Sequence, residues 1–259
     1  MDLGISGRTA VVAASSRGLG RACALALSRE GVTVVINSRN GDELAVTAQE
    51  IRDLTGGTVI PVVADITTAE GRGVLLGAVP EVDILVTNNA GPKPATITQV
   101  TPEIIDGALE GNFLAPFLLM QSVLEGMKER RFGRVVHITS AIVGSPRPHM
   151  IASGAARTAL SSAAKAVSRE LAPFNVTINQ LQPERIDSQR QIQMANDAMQ
   201  RAGITFEEAR QLQVDSIPAG RLGRPEEVGD ACAFLCAVNS GYISGSNLRL
   251  DGGAYQGLL

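Results

Sequence analysis

The chain has 259 residues, of which 44% are hydrophobic and 19% charged, with a net charge of −3 and a pI near 5.5. That length and balance suffice for one sizeable core and exclude a disordered chain, and the mild acidity excludes the basic footprint of a nucleic-acid binder. No apolar run reaches 18 residues, and "MDLGISGRTAVVAASS" lacks the basic and apolar regions of a signal peptide, so a cytoplasmic protein without a membrane span is expected.

Taken in chain order, short apolar runs alternate with helical patterns. "TAVVAAS" (9–15) reads as a buried strand and "LGRACALALSREG" (19–31) as a helix. "VTVVIN" (32–37) is a second strand, "GDELAVTAQEIRDLTGG" (41–57) a helix, and "TVIPVVAD" (58–65) a third strand. "VDILVT" (82–87) and "GRVVHIT" (133–139) follow as strands, "ARTALSSAAKAVSRELA" (156–172) as a long helix, and "VTINQLQ" (176–182) and "SNLRLDGG" (246–253) as the last strands. These strands are β-branched and apolar on both faces, as a parallel sheet covered by helices requires. The alternation predicts an α/β fold, a doubly wound, seven-stranded parallel sheet of Rossmann type flanked by helices. No linker or repeat divides residues 1–259, so one domain is expected, with the polar, helix-prone stretch 188–217 as an inserted lid.

Cys23, Cys232 and Cys236 fall in apolar helical patterns, and both histidines lie far from them in sequence. They read as buried thiols of a reduced compartment rather than as metal ligands, and no metal site is expected.

After the first strand comes "AASSRGLGRA". A strand that turns into a helix through glycines presents N–H groups and a positive helix end to a pyrophosphate. Gly18 permits close approach of the phosphate and Gly20 lets the helix pack on the sheet; Gly-Leu-Gly also occurs at helix starts for packing alone. The second strand ends in "INSRN", with Ser38 and Arg39 where an NAD site would carry an acid. Together with Arg17, these residues suit a 2′-phosphate and favour NADP(H), unless both arginines are only solvated surface charges.

Over nearly its whole length the sequence resembles the short-chain dehydrogenase/reductase family. The resemblance rests on "AASSRGLG", "VVADIT", "TNNAG", "GNFLAPFLLMQSVLEGM", "GRVVHITS", "VTINQLQPERIDS" and "IPAGRLGRPEEVGDACAFLCAVNSGYISGSNLRLDGG". It implies a pyrophosphate turn at Gly18 and Gly20, with Ser16, Arg17 and Leu19 also binding the cofactor and Ala14 where the family usually has its first Gly. It implies a 2′-phosphate site at Ser38 and Arg39 and an adenine contact at Asp65 and Ile66. Asn88 and Ala90 follow the fourth strand, although "NNAG" by eye selects Asn89. Pro183, Ile186 and Ser188 belong beside the nicotinamide, with Glu184 in place of a Gly and Ser188 in place of a Thr. The C-terminal signature, which contains Tyr242, implies a homotetramer or homodimer.

The catalytic positions depart from the family. Asn112 matches its water-holding Asn and Ser140 its catalytic Ser, but Ser153 and Arg157 stand where Tyr-x-x-x-Lys belongs. Ser140 lies thirteen residues before Ser153, which fixes the register, and the chain's tyrosines, Tyr242 and Tyr255, are both C-terminal. Ser161 and Lys165 repeat the pair's spacing but break the distance to Ser140, and Lys165 reads as a solvated helix residue. A serine hydroxyl is far from titrating near neutrality, and arginine stays charged. Arg157 can instead hold the nicotinamide ribose or stabilise an oxyanion. His149 and Glu184 are the alternative proton carriers, against a solvent-facing loop for the first and a salt bridge to Arg185 or Arg157 for the second. His137, inside the fifth strand, reads as structural. Lys93, Arg147, Arg185 and Arg190 form the expected rim and favour an anionic substrate if several point inward. The expected function is an NADP(H)-dependent carbonyl reductase or alcohol dehydrogenase acting on a small carbonyl or hydroxy compound. The alternatives are a non-redox lyase, isomerase, dehydratase or cyclase, and a catalytically silent subunit.

Overall fold

The computed structural model describes residues 2–258. Its strands are β1 (Thr9–Val12), β2 (Thr33–Ser38), β3 (Val59–Val63), β4 (Ile84–Thr87), β5 (Gly133–Ile138), β6 (Val176–Pro183) and β7 (Asn247–Leu250). They form one seven-stranded sheet in the order β3-β2-β1-β4-β5-β6-β7, with every neighbouring pair parallel. This is the predicted sheet.

The helices are α1 (Gly18–Arg29), α2 (Gly41–Thr55), α3 (Ala69–Leu76), α4 (Pro102–Leu109), α5 (Ala115–Glu129), α6 (Ile151–Leu171), α7 (Gln189–Ala202), α8 (Phe206–Asp215) and α9 (Pro225–Cys236). Successive strand residues point to opposite faces, so Ala10 and Val12 of β1 enter one core cluster while Val11 enters the other. The first cluster packs the sheet against Cys23 and Leu27 of α1, Ile51 of α2 and Val228 and Cys232 of α9. The second packs it against Leu119 and Met127 of α5 and Ala164 and Leu171 of α6. Cys23, Cys232 and Cys236 are buried free thiols in the first cluster.

Local sequence sets the helix ends. Asn40 caps α2 by accepting from the Glu43 N–H, and Gly56 closes it in the left-handed conformation at φ 68°. Helix α6 starts at Ile151, five residues before the predicted start at 156, so Ser153 and Arg157 lie one turn apart on its buried face. The stretch 188–217 forms α7 and α8, and α7 buries only Ala195 among its described residues.

The chain leaves β1 for β2 on one side of the sheet and returns from β3 to β4 on the other. A crevice therefore opens above the C-terminal ends of β1 and β4, the topological switch point where ligands bind in such sheets.

Candidate active site

The glycine-rich turn follows β1 into this crevice. Gly18 has φ 58°, and nothing stands within 4 Å of where its Cβ would lie, so the turn is open on that side. At Gly20 a Cβ would collide with the Ala14 carbonyl and lie 2.9 Å from Ser15 Cα, so only glycine lets α1 reach the strand end. Ala14 itself sits at φ 47°, a left-handed conformation that L-residues other than Gly adopt at a cost. The methyl that stands where the family usually has a Gly thus carries a backbone cost.

Asn88 Nδ2 donates to the Ala14 carbonyl (3.0 Å), whereas Asn89 Nδ2 donates to the Gly111 carbonyl (2.8 Å). The two asparagines divide the work: Asn88 anchors the glycine turn, and Asn89 anchors the α4–α5 junction. The sequence reading missed Asn37. Buried at the end of β2, it donates to the Val62 and Ala64 carbonyls, and its Oδ1 accepts from the Ala14 N–H. A lone Asn inside the apolar run "VTVVIN" was the available signal.

At the tip of β2, Arg39 stands 78% exposed with its guanidinium 3.6 Å from Asp65. Asp65 also accepts from the Thr67 hydroxyl and N–H, and these bonds, with a smaller contribution from Arg39, hold its carboxyl below the usual range. Ile66 is buried beside it. The end of β2 itself carries no acid, but a carboxylate from α2 reaches this corner. Glu43, in the first turn of α2, accepts from Ser16 Oγ (2.9 Å) and pairs with Arg17 (3.4 Å). The sequence places it five residues beyond Ser38, and only the turn into α2 brings it back.

Deeper in the crevice, Asn112 lies in a π-helical turn, Glu110–Leu114, between α4 and α5. Such turns recur at functional sites. Asn112 Nδ2 donates to the Ala90 carbonyl (3.4 Å), and its buried Oδ1 has no partner among the described residues. Ser140, two residues beyond β5, caps the short 3-10 turn Ala141–Val143 in extended conformation, and its Oγ accepts only a long bond (3.4 Å) from the Ile142 N–H.

Ser153 and Arg157 are both buried. Arg157 Nε donates to Ser153 Oγ (3.3 Å), Nη1 donates to the Ile138 (3.0 Å) and Thr139 (3.1 Å) carbonyls, and Nη2 donates to the Asn89 carbonyl (3.4 Å). Four of its five N–H groups are therefore committed to protein acceptors. Burial pushes the guanidinium down to about 10, and the charge of Arg190 adds to this. At neutral pH it remains a fixed cation.

Glu184 pairs with Arg147 (3.2 Å) and Arg185 (3.5 Å), so the pairing anticipated with Arg185 is present and Arg147, not Arg157, is its second partner. Arg185 is held at φ 52°. Arg190 of α7 donates to the Pro92 carbonyl (3.0 Å), joining the 188–217 segment to the loop after β4. That loop is fixed again where Ala95 bridges Met150 and its N–H donates to the His149 carbonyl. The His149 side chain is exposed. A cavity of about 590 Å³ runs between this loop and α4, lined by Lys93, Gln99, Glu103 and Asn112 among others. His137 is fully buried, with Nδ1 2.7 Å from Thr87 Oγ1, and burial pushes its pKa down to about 4, as a structural histidine requires. Lys165 is exposed and donates to the Gly245 carbonyl. Pro183 and Ser188 border the site at the end of β6 and the start of α7, with Ile186 buried between them.

Fold and site together define a doubly wound α/β protein with a ligand crevice at its switch point. A family model described as enoyl-(acyl carrier protein) reductase matches residues 13–255. The chain is 29% identical to the NADPH-dependent reductase BacG of Bacillus subtilis, over 98% of this chain and all of that protein. It is 31% identical to the human dehydrogenase/reductase SDR family member 4, over 96% of this chain and 88% of that protein. Among solved structures, L-sorbose reductase from Gluconobacter frateurii, complexed with NADPH and L-sorbose, matches over the full length of both chains with a TM-score of 0.94 and 28% identity. The chain belongs to the short-chain dehydrogenase/reductase family. No helix among the described residues is long and apolar enough to cross a membrane.

Proposed function

We propose that the chain is an NADP(H)-dependent oxidoreductase that interconverts a small carbonyl compound and its alcohol through an atypical active site. The observation that carries the reading is the cofactor crevice. The space where Gly18 would carry a Cβ is open, and Arg39 stands exposed beside Ser38 at the rim. The NADPH dependence of BacG and the NADPH complex of L-sorbose reductase support the same choice. Arg17 and Arg39 each face a carboxylate, but exposed ion pairs of this kind are weak and yield to a phosphate dianion.

In this reading Ser16, Gly18, Leu19 and Gly20 form the pyrophosphate turn, Arg17, Ser38 and Arg39 hold the 2′-phosphate, and Asp65 and Ile66 the adenine. Asn88, Ala90, Pro183, Ile186 and Ser188 flank the nicotinamide side. Bound NADPH supplies a hydride to the carbonyl carbon. Ser140 Oγ, which has only one long bond within the protein, donates to the carbonyl oxygen. Arg157 provides a fixed positive potential that favours developing negative charge on that oxygen, and its one uncommitted N–H is left for a ribose hydroxyl. Neither Ser153 nor Arg157 releases a proton near neutrality, so the oxygen takes its proton from water. Asn112 Oδ1, buried and unpartnered, suits the holding of that water. Helices α7 and α8 act as the lid. The exposed Phe234, Val238, Tyr242 and Leu248 on α9 and β7 and the loop between them suit assembly into a homodimer or homotetramer.

The test is a calorimetric titration with NADPH, NADP and NADH of wild type and Arg39→Ala, followed by a screen of carbonyl substrates at 340 nm (the reduced-nicotinamide band). Micromolar NADPH binding that weakens in Arg39→Ala supports the reading; failure to bind all three overturns it. The fixed cation at Arg157 also suits a non-redox lyase or isomerase that needs only an oxyanion site. Substrate conversion without net NADPH use would select that alternative.

A further inference from the structure

The positive charge around the site is not balanced. Arg157 is buried, and no carboxylate pairs with it or with Arg190 among the described residues. Glu184 is shared between Arg147 and Arg185. Among the ion pairs of the described residues, these four guanidinium groups have one carboxylate, Glu184, between them. An unpaired buried cation is costly, and such a site gains when an anion enters it.

Geometry adds to the charge count. Arg147 comes from the loop after β5, Arg185 follows β6 and Arg190 lies in α7; Arg147 and Arg185 meet at Glu184, Arg185 reaches Gln191 of α7, and the charge of Arg190 acts on Arg157. Arg185 Nε faces Glu184 Oε1 at 3.5 Å without a formed hydrogen bond, and Arg185 Nη1 donates to Gln191 Oε1 (3.3 Å). Its backbone is held in a left-handed conformation that favours glycine, a cost that persists where the surroundings impose it. Arg190 uses only one donor, on the Pro92 carbonyl, and its other N–H groups have no partner among the described residues. Unused guanidinium donors in such a fork match a planar carboxylate.

We infer that the substrate is an oxo acid, or the corresponding hydroxy acid, whose carboxylate is bound by Arg147, Arg185 and Arg190 while its carbonyl oxygen meets Ser140. This rests on the oxidoreductase reading above and narrows its substrate class. The carboxylate takes no part in the bond changes; it orients the carbonyl and selects against neutral ketones.

The test is binding of a panel of 2-oxo and 3-oxo acids and their matched amides to the NADP-saturated protein, by calorimetry at low and moderate salt, with inorganic phosphate as a separate ligand. At least one acid is expected to bind about tenfold more tightly than its amide. Salt should weaken the acid and not the amide. In Arg147→Gln/Arg190→Gln, both partly exposed positions, the acid-to-amide ratio should fall toward one while the thermal melt and the NADP titration stay those of a folded, cofactor-binding protein. Acids and amides binding alike, no acid binding at all, or phosphate binding without any acid binding would each overturn the inference. A protein that binds no NADP in the same titration overturns the oxidoreductase reading instead. The Arg185→Gln protein gives a second check, since its effect on the acid-to-amide ratio is read from the folded fraction alone.

Discussion

Arg157 Nε points at Ser153 Oγ from one helical turn away, 3.3 Å distant, and the rest of the guanidinium is sunk among three main-chain carbonyls. The pair where the family places its proton donor is therefore a scaffold that ties α6 to the ends of β4 and β5. Arg157→Met should lower stability by about 2 kcal/mol, because the lost charge-assisted bonds outweigh the relief of burying no cation. Urea unfolding measures it. An increase in stability would show that desolvation dominates.

The same packing limits any attempt to rebuild the family's phenol. A Cβ on Gly91 would lie 3.5 Å from Ser153 Oγ, and Pro92 and Ala95 line the small space around Ser153. Ser153→Tyr should therefore cost about 1–3 kcal/mol through overpacking and fail to raise reductase activity unless the loop moves. Thermal melts alongside NADPH oxidation check both halves.

The glycine turn carries a removable strain. Ala14→Gly releases the φ 47° conformation and should stabilise the fold by about 0.5 kcal/mol after the entropy of the added glycine is counted. Gly20→Ala should do the opposite, since its methyl meets the Ala14 carbonyl, and should abolish cofactor binding. Chemical denaturation and calorimetry on the two variants give the comparison.

Glu43 pairs with Arg17 and accepts from Ser16, so on the proposed cofactor site it would compete with the 2′-phosphate for Arg17. Glu43→Gln should tighten NADPH binding about fivefold and affect NADH little, while Arg39→Ala weakens NADPH about tenfold. Equal changes for both nucleotides in Glu43→Gln would place Glu43 away from the 2′-phosphate.

His137 makes stability depend on pH. Its folded pKa is depressed from 6.5 to about 4, so the unfolded chain binds the extra proton as pH falls below 6.5 and draws the equilibrium toward unfolding. From this group alone, stability should be full above pH 6.5 and fall by about 2 kcal/mol by pH 5, with the loss complete near pH 4. Urea midpoints at pH 7 and pH 5 for wild type and His137→Gln test it: the difference between the two pH values should shrink in the variant.

The order of strands and helices was legible in the sequence because burial on both faces of a parallel strand leaves a continuous apolar run, and a helix leaves a period of 3.6. The glycine turn, Arg39 and the loss of Tyr and Lys were equally plain, since each is a residue type in a local frame. Tertiary structure decided what depends on distance through space. The return of α2 brings Glu43 onto Ser16, and the α4–α5 junction becomes a π turn around Asn112. Glu184 finds Arg147 across two loops, and the early start of α6 sinks Arg157 among backbone carbonyls. Sequence specifies which groups are present and the periodicity that folds them. Whether a charge stays in water, meets a counter-charge or is buried with neither is set by packing of segments remote in the chain.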